Sequence, residues 1–321
     1  MADATAAQGR QPGDLQRRFG CRSHDRRAGA HGDRHAGAVE DGRHRGRGHR
    51  PGRRKPLRAV DRPRSRTARA RRLDPAAARD SKHRSLGTRT NMKALILCGG
   101  LGTRLRSEIG ASQKAVADVD GRPFLYYVVE QLAQAGLKDL VFCTHYQSEQ
   151  VEQFVASLPA DPARQVAIVR EPTAMGTGGA LLHAVSTLRY EGAFIALNAD
   201  TYLDASAYRA AASAQPPSIV VTPIDDCERY GAVQIDDTQR VIAVEEKGKI
   251  GPGLISAGVY GLHTRYLSTF PVAPLSMEKD IIPTLISERS LVATRYDGPF
   301  LDIGTPDSLK FIREHGVQKL Q

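Results

Sequence analysis

A glycine-rich segment near residue 100 has the composition of a phosphate-binding loop. It follows an apolar run that ends at Leu97, and it continues through Gly99, Gly100, Gly102, Thr103, Arg104 and Arg106. Glycine lets a ligand approach the backbone closely and reach its amide groups. A hydroxyl and two guanidinium groups beside those amides supply the donors and the positive charge that a triphosphate requires. The spacing predicts a cradle for nucleotide phosphates, with a plain surface turn as the alternative.

The spacing of this loop excludes two widespread phosphate-binding motifs. A Walker loop needs a lysine and a hydroxyl residue directly after its last glycine, and this pair does not follow here. A dinucleotide-binding GxGxxG loop that began at Gly100 would need a third glycine where the chain has Leu105. The loop therefore belongs to neither class.

Two aspartates have the surroundings of magnesium ligands. Asp200 follows the apolar run 194–197, and Asp302 ends the apolar stretch of FLDIGTP before a glycine turn. Mg²⁺ takes one or two protein carboxylates together with phosphate oxygens. We therefore expect Asp200 and Asp302 to share one Mg²⁺ beside the phosphate loop. Taken singly, each aspartate also suits a helix N-cap or a turn.

Two lysines are candidates for mobile side-chain cations in the site. Lys114 lies in an irregular polar segment, and Lys247 follows two glutamates at the end of an alternating strand, where a surface ion pair is the alternative. Tyr230 and Gly231 precede another strand, so that a backbone amide there could meet a sugar hydroxyl. The same two residues also fit a simple strand entrance.

The elements that would position these residues alternate between strand and helix over about 110 residues. Apolar runs predict strands at 95–97, 140–143, 166–169 and 194–197, and helices begin at Pro123, at Ser148 and after the second glycine loop, 171–179. This alternation predicts a largely parallel sheet with helices on both faces and ligands at the carboxyl ends of the strands.

The second half of the chain has a different rhythm. Strands are predicted at 219–222, 232–235, 240–245 and 258–262 without long helices between them, and helices at 280–287 and 306–315. Such strands indicate antiparallel additions to the sheet. We expect residues 92–321 to form one α/β domain.

The first 91 residues differ in kind from the rest. They hold 25 lysines and arginines against 9 acidic residues, a net charge of +16, whereas the remaining residues carry −5 of the total of +11. They contain no isoleucine, tyrosine or tryptophan. Such a composition buries too little apolar area to offset the chain entropy, so we expect a disordered basic tail.

Several interpretations of this tail stay open. It could be an arm that binds nucleic acid, a transit peptide, a solvated tail, or a segment upstream of a true start at Met92. The last is favoured, so nucleic acid is not an expected partner. No secretory or membrane-spanning apolar run precedes or follows Met92, which predicts a cytoplasmic protein without membrane insertion. The cysteines show no paired spacing, which favours buried free thiols.

Taken together, the motifs resemble those of the sugar-1-phosphate nucleotidyltransferases. The matching segments, in order, are LILCGGLGTRLRS, Lys114, DGRPFL, EPTAMGTGGA, LNADTY, RYGAVQ, EEKGK, SAGVYGL, MEKDIIP and FLDIGTP. LRS and EEKGKIGPGLISAGVY make the chain most similar to the D-glycero-D-manno-heptose 1-phosphate guanylyltransferase group. The resemblance implies a Rossmann-like three-layer α/β/α fold with a mixed, mainly parallel sheet and antiparallel additions in the second half.

The resemblance also implies a role for each matched residue. The implied catalytic cations are Arg104, Lys114 and Lys247, and the implied Mg²⁺ ligands are Asp200 and Asp302. The nucleotide would be bound by Leu97, Gly99, Gly100, Gly102, Thr103, Arg104, Glu171, Gly176, Thr177 and Gly178. The sugar phosphate would be bound by Tyr230, Gly231, Glu246 and Lys247. One departure is Gln113, which stands where the family usually has proline and restores an N–H there.

The implied reaction transfers a nucleoside monophosphate from an NTP to a sugar 1-phosphate and releases pyrophosphate. GTP with D-glycero-D-manno-heptose 1-phosphate, for surface polysaccharide synthesis, is the main prediction. A uridylyl-, cytidylyl- or thymidylyltransferase acting on a hexose or amino-sugar 1-phosphate is the enzymatic alternative. A nucleic-acid-binding protein that uses the basic tail is the non-enzymatic one. A homo-oligomer is compatible with the sequence, which does not define the oligomeric state.

Overall fold

The architecture comes from a computed structural model that describes residues 92–245 and 247–317. The predicted tail, residues 1–91, and the predicted sugar-phosphate residue Glu246 lie outside the described residues. Within that range the strands are β1 (Lys93–Leu97), β2 (Asp118–Val119), β3 (Arg122–Pro123), β4 (Asp139–Thr144), β5 (Gln165–Arg170), β6 (Ala193–Asn198), β7 (Thr201–Leu203), β8 (Ser218–Ile224), β9 (Val233–Ile235), β10 (Val241–Val244), β11 (Gly253–His263), β12 (Val292–Arg295) and β13 (Phe300–Asp302).

Helices cover both faces of the main sheet. They are α1 (Arg106–Ile109), α2 (Phe124–Gln134), α3 (Ser148–Ser157), α4 (Gly176–Thr187), α5 (Ala205–Ser213), α6 (Thr264–Leu267), α7 (Ile282–Ser287) and α8 (Pro306–His315). Short 3-10 turns span Thr103–Leu105 and Lys114–Val116, and a π-helical turn, Met277–Ile281, leads into α7.

The main sheet has seven strands in the order β12-β8-β11-β6-β1-β4-β5. Strands β6, β1, β4 and β5 pair in parallel, and so do β12 and β8. Strand β11 is antiparallel to both of its neighbours, β6 and β8. The predicted α/β class, with a mainly parallel sheet and an antiparallel addition from the second half, is confirmed.

Alternate residues of the first strand enter separate apolar cores. Ile96 packs with Phe124 and Tyr202 on one face of the sheet, whereas Leu95 packs with Leu181 and Met277 on the other. Both faces of β1 are therefore covered, which explains why its sequence is a continuous apolar run rather than an alternating one. A ligand can therefore reach the ends of these strands but not the covered faces of the sheet.

Three of the four cysteines lie within the described residues. Cys98, Cys143 and Cys227 are buried and unpaired, as predicted for structural thiols. Burial raises the pKa of the Cys98 and Cys143 thiols above the ordinary value, so both stay protonated. Among the helices that the structure describes, none is long and apolar enough to cross a bilayer.

Two elements of the main fold differ from the sequence-based expectation. The segment 205–213 forms a helix, and 292–295 adds a parallel strand at the edge of the sheet; neither was predicted. The helix buries small side chains such as Ala207 and Ala211 beside Tyr208, a pattern with a weak apolar period. The strand has four residues, too few to show alternation.

Candidate active site

A short antiparallel pair outside the main sheet brings the two predicted magnesium ligands together. Strands β7 and β13 pair so that Asp302 lies opposite Thr201. The backbone amide of Ile303 donates to the carbonyl of Asp200 at 3.0 Å. Burial and the neighbouring Asp200 carboxylate both raise the pKa of Asp302. Two acids that are 102 positions apart in the sequence therefore form one carboxylate pair beside the carboxyl end of β6.

Lys114 neutralises this carboxylate pair. Its ammonium donates to Oδ2 of Asp200 and lies 4.0 Å from Oδ1 of Asp302, and all three side chains are largely buried. Because two like charges in a poorly solvated site repel each other, a cation between them stabilises the pair. The structure thus unites three of the predicted residues in one ionic cluster.

Gln113 fixes the backbone that carries Lys114. Its side-chain amide donates to the carbonyl of Cys98 at the end of β1, and its side-chain oxygen accepts from the amide of Ala115. Its backbone amide donates to Oε1 of Gln150 at 2.8 Å. The φ angle of Gln113, −70°, is close to the value that proline imposes. The glutamine therefore keeps a proline-like backbone and adds three hydrogen bonds.

The glycine loop lies next to the Lys114 segment. Gly102 has a φ of 57°, and a Cβ atom added to it would lie 3.4 Å from the Cβ of Lys114. The amide of Leu105 donates to the carbonyl of Gly102 at 2.9 Å, and the Leu105 side chain is buried in the core. Thr103 and Arg104, on the same turn, are exposed. The loop is anchored by its leucine and presents its hydroxyl and guanidinium groups to solvent.

Glu171 closes the other side of the glycine loop. It is buried, and its Oε2 accepts from the amide of Met175 at 2.8 Å. A Cβ atom on Gly99 would lie 2.5 Å from Oε1 of Glu171, so a larger residue there would displace the Glu171 carboxylate. Burial raises the pKa of Glu171, and the Met175 amide partly offsets that effect. Glu171 thus joins the first and second glycine loops.

The predicted second glycine loop, 171–179, is helical in its last part. Helix α4 begins at Gly176, and the amides of Gly178 and Gly179 donate to the carbonyl of Leu275 at 2.9 and 3.0 Å. The hydroxyl of Thr177 accepts from the amide of Met277 at 2.8 Å. These glycines therefore dock the helix against the segment before α7. Their contact with a nucleobase stays a prediction.

Replacing Gly176 with alanine should lower the free energy of unfolding by about 1–3 kcal/mol. The φ of Gly176 is 69°, and an added Cβ would lie 2.6 Å from the carbonyl oxygen of Leu275. Urea denaturation followed by circular dichroism measures the effect. The control is Gly100→Ala, where an added Cβ meets nothing within 4 Å. Equal stability of the two variants would contradict this packing.

The predicted sugar side of the site also reaches the aspartates. Burial, together with the charge of the nearby Asp302 carboxylate, raises the pKa of Tyr230. Its ring packs edge-on against Phe300 at 5.7 Å. A Cβ atom on Gly231 would lie 2.7 Å from the carbonyl of Glu245, so the loop before Lys247 packs closely here. Lys247 itself is exposed.

The structure adds one residue that the sequence analysis did not select. The guanidinium Nη2 of Arg229 lies 3.7 Å from Oδ2 of Asp302. Its only signal in the sequence is its position directly before Tyr230 and Gly231. A single arginine in a loop is ordinary, so this signal did not suffice.

A separate cavity lies beside the β9–β10 hairpin. It has a volume of about 600 Å³ and is lined by Asp236, Thr238, Arg240, Val241, Ile242, Ile286 and Arg289. None of the predicted site residues lines it.

The donor set at the aspartate pair fits Mg²⁺ bound together with a nucleotide. No cluster of three or more His, Cys, Asp or Glu side chains suited to a metal occurs in residues 92–245 and 247–317. Mg²⁺ needs no such cluster, because it keeps water or phosphate oxygens as ligands beside one or two carboxylates. Asp200 and Asp302 provide two carboxylates, and the adjacent glycine loop suits the phosphates.

Ligands of open parallel sheets bind at the carboxyl ends of the strands, which is where Lys114, Asp200 and Asp302 come together. A family model described as nucleotidyl transferase matches residues 93–316, well over half of the chain. The chain belongs to the nucleotidyl transferase family and is a nucleotidyltransferase.

Curated relatives with similar sequences are guanylyltransferases. The D-glycero-alpha-D-manno-heptose 1-phosphate guanylyltransferase of Campylobacter jejuni is 30% identical over 216 residues, 67% of this chain and 96% of the relative. The enzyme of that name from Aneurinibacillus thermoaerophilus is 31% identical over 224 residues, 68% of this chain and 96% of the relative.

A solved structure, that of HddC from Yersinia pseudotuberculosis, shares both sequence and fold. It is 30% identical, with a TM-score of 0.61, and the match covers 70% of this chain and 99% of HddC. HddC has also been solved in complex with GMP-PN, with the same similarity to this chain. The site described above is therefore built on a fold that holds a guanine nucleotide in a relative.

Proposed function

We propose that this enzyme transfers GMP from GTP to D-glycero-D-manno-heptose 1-phosphate, which yields a GDP-heptose and pyrophosphate. The observation that carries the proposal is the cluster of Lys114, Asp200 and Asp302 beside the glycine loop. The choice of base and sugar rests on the guanylyltransferase relatives. The product would serve surface polysaccharide synthesis, in the cytoplasm.

The glycine loop and Arg104 bind the triphosphate in this proposal. The exposed turn Thr103–Leu105 leaves a hydroxyl and a guanidinium free to meet phosphate oxygens. A guanidinium binds phosphate through paired hydrogen bonds, which set orientation as well as affinity. Anchoring of the turn by buried Leu105 means that little order has to be gained on binding.

Asp200 and Asp302 would hold Mg²⁺, which supplies positive charge against the phosphates when it is bound. Lys114 would bind oxygens near the α-phosphorus. Lys247 and Tyr230 lie on the loops that would bind the sugar phosphate. Mg²⁺, Lys114 and Lys247 would reduce the repulsion between the two anionic phosphates. They would also stabilise the charge that develops on pyrophosphate.

The proposed reaction requires no general base. A phosphate monoester is largely ionised at neutral pH, so its oxygen can attack without losing a proton. The enzyme then has to hold the attacking oxygen and the leaving pyrophosphate in line. Lys114, next to the glycine loop, and Arg229, directly before Tyr230, contact different oxygens of Asp302, which suits that arrangement.

A substrate panel tests the proposed specificity. GTP, ATP, UTP, CTP and dTTP are each combined with D-glycero-D-manno-heptose 1-phosphate, mannose 1-phosphate and glucose 1-phosphate, and pyrophosphate release is measured with Mg²⁺. The expected result is the highest kcat/KM for GTP with the heptose phosphate. A preference for UTP, CTP or dTTP, or for glucose 1-phosphate, would overturn the specificity while leaving the reaction class in place.

A further inference from the structure

Arg229 gives the aspartate pair a second cation. Lys114 faces Oδ1 of Asp302, whereas the guanidinium of Arg229 faces Oδ2 of the same carboxylate at 3.7 Å. This separation is longer than a direct hydrogen bond, so the ion pair does not occupy the guanidinium donors fully. The side chain is also more than one third exposed, so a ligand can reach it.

The backbone of Arg229 belongs to the sugar side of the site. The amide of Tyr230 donates to the carbonyl of Cys227 at 2.8 Å, which closes a turn around Arg229. The amide of Cys227 donates to the carbonyl of Gly251, and the amide of Gly248 donates to the carbonyl of Glu228, at 2.9 and 3.0 Å. These bonds tie the turn to the loop that carries Lys247. Arg229 and Lys247 therefore stand on one hydrogen-bonded unit.

The orientation of the guanidinium is restricted by its neighbour. Its central carbon lies 5.4 Å from the centre of the Tyr230 ring, within the range of a cation–π contact. On its other side the guanidinium faces Oδ2 of Asp302. A side chain held between a ring and a carboxylate loses less freedom when it binds a ligand.

We propose that Arg229 binds the phosphate group of the sugar 1-phosphate and holds it against the aspartate pair. This inference rests on the proposed function. The arriving phosphate is a near-dianion that must approach two carboxylates, and Lys114 is already engaged with Asp200. A guanidinium on the sugar side offsets that repulsion and matches the paired oxygens of a phosphate. Arg229 is thus a specificity residue for a phosphorylated, rather than a free, sugar.

The test separates the two substrates kinetically. In Arg229→Gln the KM for the sugar 1-phosphate should rise about 10- to 100-fold, as expected for the loss of a charged hydrogen bond. The KM for GTP should change less than about threefold, since the triphosphate lies on the glycine-loop side. Arg229→Lys should recover part of the loss, because it keeps the charge and loses the fork.

Inorganic phosphate gives a second measurement that does not need turnover of the variant. Its affinity for the free enzyme, measured by calorimetry, should fall in Arg229→Gln by a factor similar to the rise in KM. The matched control is Arg265→Gln, because Arg265 lies over the ring of the next residue, Tyr266, in the same way at 4.8 Å, outside the aspartate site. Neither KM should change in this control. Thermal denaturation checks that each variant is folded.

Two results would overturn the proposal. One is an unchanged KM for the sugar 1-phosphate in an active, folded Arg229→Gln enzyme. The other is an equal rise of both KM values, which would mean that Arg229 acts only by positioning Asp302. If the wild-type enzyme turns over no sugar 1-phosphate at all, the proposed function itself fails.

Discussion

Replacing Asp200 with asparagine should lower kcat for pyrophosphate release by about three orders of magnitude, or about 4 kcal/mol of transition-state stabilisation. The asparagine keeps the shape of the side chain and removes the charge that faces Lys114 and the second aspartate. A neutral amide is a poor ligand for Mg²⁺, and Asp302 alone would have to hold the ion. Initial rates at saturating GTP, sugar 1-phosphate and Mg²⁺ measure the loss.

A lysine–aspartate pair elsewhere in the domain provides the control for Asp200. Asp161 accepts a hydrogen bond from the ammonium of Lys138 at 3.2 Å. Asp161→Asn removes a carboxylate from the same kind of ion pair and should leave kcat within about twofold, since exposed ion pairs have little effect. Near-normal turnover in Asp200→Asn, with the metal present, would count decisively against the role of Asp200.

Replacing Lys114 with glutamine should lower kcat about 100- to 1000-fold, the usual loss when one donor to the developing charge is removed. It should also destabilise the free enzyme by about 1–3 kcal/mol, because Asp200 and Asp302 then face each other without their cation. A divalent cation can replace the lost charge. Adding Mg²⁺ without nucleotide should therefore raise Tm more in the variant than in the wild type.

The control for Lys114 is another partly buried ammonium. Lys93 donates to Oδ2 of Asp139 at 2.6 Å, at the start of β1 and so at the opposite end of that strand from the glycine loop. Lys93→Gln should retain its activity, and its Tm should respond to Mg²⁺ as the wild type does. If Mg²⁺ raises the Tm of Lys114→Gln no more than it raises the Tm of the wild type, the aspartate pair is not the metal site.

Local patterns predicted the parallel half of the fold well. The continuous apolar run at β1 and the strand–helix alternation through β6 follow from burial on both faces, a property of each segment by itself. Helix α8 was predicted with the bounds that the structure shows, Pro306–His315, and it starts with proline after a threonine cap, both local signals. Such signals lie within a few residues of the element that they define.

What escaped prediction depends on contacts between distant segments. The glycine-bearing segment 171–179 was predicted as a loop, yet α4 begins at Gly176, where the carbonyl of Leu275, about 100 residues later, accepts from the amides of Gly178 and Gly179. The three-residue strands β7 and β13 show no period, although their pairing joins Asp200 to Asp302. Sequence reasoning selected both acids from their positions at the ends of apolar runs and from the family resemblance. The ion pair of Arg229 with Asp302 could not be read from the chain, because it exists only after that pairing.

The most direct test follows the α-phosphorus of the nucleotide. The enzyme is incubated with Mg²⁺, [α-³²P]GTP and D-glycero-D-manno-heptose 1-phosphate, and the products are separated by chromatography. We expect one outcome: the label enters a GDP-sugar, and one pyrophosphate is released for each labelled product. Label recovered as GMP, or left in GTP while Asp200→Asn behaves like the wild type, would contradict it.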